Sequence, residues 1–292
     1  MSPMTITELL KVSSDYLKLK KIDQPRLTAE ILLSHSLSVE RLDLYLNGEK
    51  PLTENEISRF RNFIRRRVAR EPVQYITGSQ EFRSMSFNVG PGVLIPRPET
   101  ELLVERVLVR LSEGKCGERP RILDLGTGCG AIAVALAAEL PGAYICATDI
   151  SSQAIAYARK NAENNGLKDR IAFLIGDWLE PFSQPGEGFD VIASNPPYVS
   201  TAEWRELQAE VRRYEPETAL TAGDDGMEDI RRIIEAAPAY IAPGGWLFIE
   251  TAPWHTGEAL RMMDSMGRFS MSIRSRDYGR RYRVVEAQLV EP

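Results

Sequence analysis

The 292-residue chain is 43% hydrophobic and 26% charged, which is typical of a folded globular protein and excludes a mainly disordered one. Its 21 glycines and 18 prolines follow no fixed period, so a collagenous or low-complexity protein is excluded as well. The net charge of -5 is uneven, since residues 1–85 carry 14 basic and 11 acidic side chains whereas residues 86–292 carry 22 and 30. The larger part is therefore not a general nucleic-acid surface, and any basic patch belongs to the N-terminal part.

Membrane segments, disulfides and metal sites are not expected. The sequence has no run of about 18 apolar residues, and its first residues lack the basic and apolar segments of a secretion signal. The cysteines Cys116, Cys129 and Cys146 form no CxxC pair, and only His35 and His255 could join them as metal ligands. We therefore expect a cytoplasmic protein without membrane contact, disulfide or bound metal.

The N-terminal residues carry start signals for short helices. Thr5 and Glu8 have the spacing of a capping box, in which each side chain satisfies a free backbone N–H of the other residue, and Thr53 and Glu56 repeat it. Apolar residues follow both boxes at helical intervals and recur in two segments between them. The pattern predicts a four-helix bundle over residues 1–71.

The faces of the last of these helices that do not carry its apolar residues are rich in arginine, and we call them the basic face. The residues are Arg59, Arg61, Arg65, Arg66, Arg67 and Arg70. A solvated surface whose C-terminal cations complement the helix dipole explains most of them. A docking surface for a macromolecule is the alternative, and both interpretations stay open.

Residues 72–98 are predicted to link two domains. Apolar and polar residues alternate over Val73–Thr77 and again over Phe82–Val89, with Gly78 as the turn, which predicts a β-hairpin. The Pro- and Gly-rich stretch that follows predicts a stiff linker. The second domain is expected at residues 99–292.

Helical and strand patterns alternate through this second domain. Helices are predicted at Thr100–Leu111, Ala131–Leu140 and Ser151–Asn165. Strands are predicted at Arg121–Leu125, Ala143–Thr148, Ile171–Ile175, Phe189–Ser194 and Trp246–Glu250. Such alternation implies an α/β fold in which helices cover both faces of a parallel sheet.

A glycine-rich turn follows the first strand of this sheet. Its residues, with the acid that precedes them, are Asp124, Gly126, Thr127, Gly128, Cys129 and Gly130. Glycines let the backbone approach a ligand closely at the carboxyl end of a strand, beside a helix N-terminus. Asp124 adds a negative charge at the mouth of the turn, which repels a pyrophosphate and favours a cationic ligand such as S-adenosylmethionine.

Acids after the next two strands complete a predicted nucleotide site. Asp149 lies where a carboxylate can accept hydrogen bonds from both hydroxyls of a ribose, although it could instead cap the following helix. Asp177 can accept a hydrogen bond from an adenine amino group, and Trp178 offers an aromatic surface beside the base. A turn residue and a buried tryptophan are the alternative interpretation of this pair.

The fourth strand runs into Asn195, Pro196, Pro197 and Tyr198, which we call the amide clamp. Because the prolines lack N–H groups, the chain must leave the sheet there, and its carbonyl groups can face a ligand. The Asn195 side-chain carbonyl and the Pro196 backbone carbonyl could accept both N–H bonds of a planar amino group, with Tyr198 packed on its flat face. Holding such a weakly nucleophilic nitrogen in line with an electrophilic methyl group favours methyl transfer.

The glycine-rich turn, Asp149 and the amide clamp resemble those of the class I S-adenosylmethionine-dependent methyltransferases. Other stretches extend the resemblance over nearly the whole chain, to the HemK/PrmC family of protein-glutamine N5-methyltransferases of peptide-chain release factors. These stretches are Glu71–Gly78, Phe82, Val93–Glu101 and Arg281–Val285.

The resemblance implies a Rossmann-like, mostly parallel sheet with an antiparallel last strand, preceded by a small helical domain for substrate docking and a β-hairpin linker. It implies S-adenosyl-L-methionine as methyl donor, S-adenosyl-L-homocysteine as product, and as substrate the glutamine of the Gly-Gly-Gln motif in class 1 release factors. Residues 126–130, Asp149, Trp178 and Asn195 would contact the cofactor, and the amide clamp would hold the glutamine amide.

Two other functions fit parts of the sequence. An adenine amino group presents the same two N–H bonds to Asn195 and Pro196, so an N6-adenine or other nucleic-acid amino methyltransferase is the main alternative. A non-catalytic cofactor-binding module is the other, although it would not need an amide clamp. Since the acidic charge of residues 86–292 favours a protein substrate, we expect release factors as partners, no stable nucleic-acid partner, and a monomer.

Overall fold

The computed structural model describes residues 4–114, 119–182 and 188–290. The chain divides into two compact units, a helical unit of Met1–Ser79 with Gln208–Tyr214, and a sheet unit of Gln80–Leu207 with Glu215–Pro292. The domain division predicted at residues 71 and 98 stays a prediction. No described helix is long and apolar enough to cross a membrane.

The secondary structure alternates as expected for most of the chain. The described helices are α1 (Ile6–Leu19), α2 (Pro25–Leu37), α3 (Arg41–Leu46), α4 (Glu54–Val68), α5 (Val73–Thr77), α6 (Thr100–Glu113), α7 (Ala131–Glu139), α8 (Ser152–Asn164), α9 (Thr201–Glu206), α10 (Ala209–Tyr214), α11 (Glu228–Ala236) and α12 (Thr256–Ser265). The described strands are β1 (Ser79–Phe82), β2 (Met85–Asn88), β3 (Arg121–Leu125), β4 (Tyr144–Asp149), β5 (Ile171–Ile175), β6 (Phe189–Ser194), β7 (Ile241–Glu250), β8 (Phe269–Arg276) and β9 (Tyr282–Leu289).

The helical unit starts its helices at the predicted capping boxes. At α1 the Thr5 hydroxyl accepts a hydrogen bond from the Glu8 N–H (3.3 Å), and the Glu8 carboxylate accepts one from the Thr5 N–H (2.9 Å). Thr53 and Glu56 form the same reciprocal pair at α4. These bonds satisfy N–H groups that a helix start leaves free, and the apolar faces behind them share one buried core. The predicted N-terminal helical bundle is confirmed.

The predicted hairpin is shifted along the chain. Val73–Thr77 is the helix α5 rather than a strand, because Tyr75 and Ile76 are both buried, whereas successive residues of a strand point to opposite faces. Five residues are too few to separate the two periodicities in the sequence. The hairpin pairs β1 with β2, and its turn is formed by Arg83 (φ 47°) and Ser84 (φ 59°), the left-handed pair that two-residue hairpin turns require.

The seven-stranded sheet has the order β5-β4-β3-β6-β7-β9-β8 in the part of the chain that the structure describes. From β5 to β7 all neighbouring strands are parallel, and β9 is antiparallel to both β7 and β8. The predicted mostly parallel α/β sheet with an antiparallel last strand is therefore confirmed. Because the carboxyl ends of parallel strands meet at one edge, the segments that follow β3 to β6 converge there.

Three strands of the sheet differ from the sequence patterns. The stretch predicted as Trp246–Glu250 is the second half of a longer strand, β7, which begins at Ile241. The strands β8 and β9, which the alternation pattern did not predict, form one end of the sheet; β8 lies at its edge, and half of its residues are exposed.

A buried ion-pair cluster joins α6 to the sheet. Glu286 on β9 is fully buried and receives Arg106 and Arg110 of α6, each at 2.9 Å. The Ser275 hydroxyl donates a further hydrogen bond to the same carboxylate (3.0 Å). A buried charge with several donors is stable, but removal of its partners would leave it uncompensated.

Two of the cysteines are free and buried in the sheet unit. Burial raises the pKa of the Cys129 thiol to about 12 and that of the Cys146 thiol to about 11, so both are uncharged. Cys116, the third cysteine of the sequence, lies outside the described residues.

Candidate active site

A cavity of about 470 Å³ lies at the carboxyl edge of the parallel strands. The segments after β3, β4, β5 and β6 form one side of it, and residues 92–97 and 216–219 contribute to the rest. The predicted site residues that line it are Gly126, Thr127, Gly128, Cys129, Asp149, Asp177, Trp178, Asn195 and Pro197. The sequence patterns therefore converge on one site, although Asp124, Gly130, Pro196 and Tyr198 lie outside the lining.

The glycine-rich turn needs its glycines for two physical reasons. Gly126 and Gly128 have φ values of 72° and 57°, which side chains with a Cβ rarely adopt. A Cβ on Gly126 would also lie 3.1 Å from the Trp178 ring, which packs directly over the backbone there. The N–H groups of Gly126 and Thr127 both donate to the Thr148 carbonyl of β4 (2.9 Å), so the turn is fixed to the neighbouring strand.

Asp124 lies beneath the turn rather than at its mouth. It is fully buried, and its Oδ2 accepts hydrogen bonds from the Thr127 hydroxyl (2.6 Å) and from the Ala133 N–H (3.1 Å). The pKa of Asp124 is raised to about 7, mainly by burial and also by the neighbouring Asp149. The prediction that Asp124 places a negative charge at the mouth of the turn is therefore wrong. Asp124 instead holds the turn against the first residues of α7.

The substitution Asp124→Asn is expected to change how stability depends on pH. The pKa of Asp124 is raised from 3.8 to about 7 in the fold, so within this window the folded protein keeps a proton that the unfolded chain has released. The free energy of unfolding therefore falls as pH rises through the window, by about 1.4 kcal/mol for each pKa unit at most. The variant lacks this contribution, so its Tm should decline less than that of the wild type between about pH 4 and about pH 7.

Thermal unfolding followed by circular dichroism over a pH series measures this difference. Glu250, whose pKa is also raised, titrates in both proteins and cancels from the comparison. Parallel Tm curves for the two proteins would contradict the burial of an ionisable Asp124.

Asp149 faces the cavity with both carboxylate oxygens fixed. Its Oδ2 accepts from the Gly128 N–H and its Oδ1 from the Ser151 N–H, each at 2.8 Å. Burial raises the pKa of Asp149, and these two hydrogen bonds oppose the shift. The N-cap of α8 is Ser151, whose hydroxyl accepts from the Ala154 N–H (3.2 Å), so the cap alternative for Asp149 is wrong. Each oxygen of Asp149 keeps a lone pair for a ligand.

Asp177 and Trp178 are each tied to residues of α11. The Asp177 carboxylate receives Arg232 at 2.7 Å, and the Trp178 indole N–H donates to Asp229 at 3.1 Å. Burial raises the pKa of Asp229, while the Trp178 hydrogen bond and Arg232 oppose the shift. Sequence reasoning missed Asp229 and Arg232 because charged residues on an amphipathic helix carry no signal of their own. Contact of Asp177 and Trp178 with an adenine ring stays a prediction.

The amide clamp is oriented by a hydrogen bond inside the fold. The Asn195 Nδ2 donates to the Thr100 hydroxyl at 3.1 Å, which leaves its Oδ1 as the acceptor for a ligand in the cavity. Tyr198 packs against the sheet core, its N–H donates to the Leu220 carbonyl (3.1 Å), and burial raises the pKa of its phenol. Packing of this ring on a substrate amide stays a prediction. Thr100 is a partner of the amide clamp that the sequence did not indicate, since its position marks only a helix start.

Glu215 fixes one wall of the cavity. Its side chain is almost wholly buried and accepts from the Ile95 N–H (3.0 Å) and from the Arg97 guanidinium (2.6 Å). Arg97 lines the cavity, and the residues just after Glu215 line it as well. No periodic pattern surrounds Glu215, so sequence reasoning had no means of finding this link.

Three of the six arginines of the predicted basic face form ion pairs within the helical unit. Arg66 pairs with Glu71, while Arg67 and Arg70 both face Glu210. The other three arginines are exposed and form no ion pair with any of the described residues. They are Arg59, Arg61 and Arg65. Any docking role for the basic face therefore rests on these three side chains and stays a prediction.

Comparisons with known proteins agree with both units. A family model described as the PrmC N-terminal domain matches residues 8–78, and one described as the methyltransferase small domain matches residues 98–212. The 16S rRNA N2 G1207 methyltransferase of T. thermophilus, solved in complex with AdoMet and guanosine, is 23% identical over 72% of this chain and 49% of that chain, with a TM-score of 0.51. That likeness shows a shared fold.

Curated relatives cover almost the full length. The release factor glutamine methyltransferase of Chlorobaculum tepidum is 46% identical over 250 residues, which are 84% of this chain and 85% of that protein. The protein of the same name from Rhodopirellula baltica is 38% identical over 289 residues, which are 98% of this chain and 97% of the relative. Identity of this level over most of both chains places this protein with them. The chain belongs to the family of release factor glutamine methyltransferases.

Proposed function

We propose that this protein transfers a methyl group from S-adenosyl-L-methionine to the side-chain N5 of the glutamine in the Gly-Gly-Gln motif of class 1 release factors. The observation that carries the proposal is the fixed Asn195 amide, whose Nδ2 is held by Thr100 so that Oδ1 is left to accept from a substrate N–H. The names of the near full-length relatives support the same substrate.

The residues of the cavity fit S-adenosyl-L-methionine. The backbone of the glycine-rich turn is free of side chains at Gly126 and Gly128, and Asp149 presents acceptors where ribose hydroxyls can bind. Trp178 offers an aromatic surface, and Asp149 is an anion beside a cationic ligand. When bound, the cofactor supplies an electrophilic methyl group.

The amide clamp would then hold the acceptor nitrogen. Asn195 Oδ1 would accept one N–H bond, and the Pro196 carbonyl, which lies outside the cavity lining, would accept the other once the substrate is bound. The nitrogen would then face the methyl group without a general base acting first, and it would release one proton to solvent after the transfer. As positive charge develops on the nitrogen, both hydrogen bonds strengthen, which stabilises the transition state more than the ground state. Pro197 lines the cavity beside them.

A three-way incubation tests the proposal. Purified protein and methyl-labelled S-adenosyl-L-methionine are mixed with a purified class 1 release factor, with the same factor carrying Gly-Gly-Ala in place of Gly-Gly-Gln, or with RNA and DNA. We expect label only in the unaltered release factor, with N5-methylglutamine in the motif by mass spectrometry. Label that enters only nucleic acid would overturn the proposal in favour of an amino methyltransferase of adenine, and no label in any arm would favour a binding module.

A further inference from the structure

A buried glutamate lies directly behind the amide clamp. β6 and β7 are parallel neighbours with Ser194 opposite Ile249, so Asn195 and Glu250 are the next residues along the two strands. Glu250 is fully buried, and neither of its oxygens has a hydrogen-bond partner among the described residues. An unpaired carboxyl group in the interior is costly, and such groups call for a functional explanation.

Thr100 connects the two residues. Its hydroxyl oxygen accepts from Asn195 Nδ2 at 3.1 Å, and its hydroxyl proton remains to be placed. The Thr100 hydroxyl also lies near Glu250, where it lowers the pKa of that carboxyl group more than any other neighbour does, but the two groups form no hydrogen bond in this structure. The Thr100 proton and the Glu250 carboxyl group are therefore neighbours, each without another hydrogen-bond partner among the described residues.

The other charged neighbours of Glu250 come from two segments, the stretch before α6 and the strand β9. The pKa of Glu250 is raised to about 7, mainly by burial and also by Glu99, whereas Arg283 and Arg97 act to lower it. Tyr198 of the amide clamp also faces Glu250, because the carboxylate raises the pKa of the phenol. The charge of Glu250 is therefore poised to change near neutral pH.

We propose that Glu250 is a positioning residue, which through the Thr100 hydroxyl sets the direction of the Asn195 amide in the clamp. When Glu250 is charged, Thr100 must donate to it and can only accept from Asn195, so Nδ2 points inward and Oδ1 points into the cavity. When Glu250 is protonated it can donate to Thr100, whose own proton is then free to face Asn195 Oδ1. The amide would flip and present its NH2 group to the N–H bonds of the substrate, donor against donor.

This inference rests on the proposed function, and four variants test it. Glu250→Gln removes the charge and places an NH2 donor beside Thr100, Thr100→Val removes the hydroxyl group, and Thr100→Ser keeps it. Glu286→Gln is the matched control, since it alters a fully buried glutamate of the same sheet that is paired with Arg106 and Arg110 away from the cavity. All are assayed for kcat with the release factor at saturating S-adenosyl-L-methionine, and for the Kd of that cofactor.

We expect kcat to fall roughly 10- to 100-fold in Glu250→Gln and Thr100→Val, because the Asn195 amide would no longer hold the substrate nitrogen in the reactive position. The Kd of the cofactor should stay within about threefold of the wild-type value. Thr100→Ser should keep most of the wild-type kcat. In the wild type and in Glu286→Gln, kcat should decrease as pH falls through about 7. In Glu250→Gln, kcat should not decrease over this range of pH. Asp124 also titrates near this pH, but it lies under the cofactor turn, so saturation with cofactor removes its effect from kcat.

The inference would be overturned if Glu250→Gln had the kcat of the wild type and the same dependence of kcat on pH. Equal kcat values for Thr100→Val and Thr100→Ser would overturn it as well. If Glu250→Gln does not fold, the inference is tested by the kcat values of Thr100→Val and Thr100→Ser and by how these values depend on pH. A wild type that does not methylate the release factor overturns the proposed function, and with it this inference. Transfer by the wild type with unaffected variants overturns the inference only.

Discussion

Replacement of Asn195 by alanine is expected to lower kcat about 10²- to 10³-fold, which corresponds to about 3–4 kcal/mol of lost transition-state stabilisation. Asn195 is the side-chain acceptor of the amide clamp, and its hydrogen bond to a substrate N–H gains strength as charge develops on the nitrogen. Because the residue lies at the substrate end of the cavity, the Kd of S-adenosyl-L-methionine should change little. Single-turnover methylation of the release factor and calorimetric titration of the cofactor measure the two effects.

Asn165→Ala is a suitable control for Asn195→Ala. Asn165 Nδ2 donates to the carbonyls of Ser86 (3.2 Å) and Asn161 (2.9 Å), outside the cavity lining. It should therefore cost some stability without affecting methyl transfer. A kcat for Asn195→Ala within about threefold of the wild type would show that the clamp works without its side chain.

Replacement of Asp149 by alanine is expected to weaken cofactor binding about 30- to 150-fold, equivalent to about 2–3 kcal/mol for hydrogen bonds to a charged acceptor. The substitution also removes the anchors of the Gly128 and Ser151 N–H groups, so the glycine-rich turn loses its register with β4. Since a ribose contact is equally strong in the ground and transition states, kcat at saturating cofactor should change much less than the Kd.

Asp190→Ala provides the matched control for Asp149→Ala. Asp190 lies at the amino end of β6 and also accepts from a backbone N–H, that of Arg121 at 2.7 Å, at the edge of the sheet opposite the cavity. The Kd of the Asp190→Ala protein for the cofactor should equal that of the wild type. Unchanged affinity in Asp149→Ala by calorimetry would remove Asp149 from the binding site.

Local signals made much of the fold predictable. The capping boxes at Thr5 and Thr53 start helices because they satisfy backbone groups in the first turn, whatever the rest of the chain does. Short apolar strands bounded by turns, such as 121–125, were recognisable because a central parallel strand is buried on both faces. The glycine-rich turn and the amide clamp were predictable because their residue types satisfy constraints of the backbone itself.

What the sequence did not predict depends on contacts between distant residues. Val73–Thr77 is too short for its periodicity to decide between helix and strand. Asp124 gives no sign of its burial, because the same carboxylate could lie at the mouth of the turn or beneath it. Thr100 and Glu250 are ordinary residues at the ends of elements. The register of β6 with β7 brings Glu250 beside Asn195, and a hydrogen bond joins Thr100, at the start of α6, to the same residue.

The position of β9 has a consequence for how the protein is made. β9 spans Tyr282–Leu289, yet it lies between β7 and β8, which precede it in the chain. Until residue 289 has left the ribosome, β7 exposes a row of unpaired backbone groups and β8 has no neighbour. The pairing of β7 with β9 is non-local and forms late, so the sheet unit should be completed only after β9 has left the ribosome, when all residues of the helical unit have already been made.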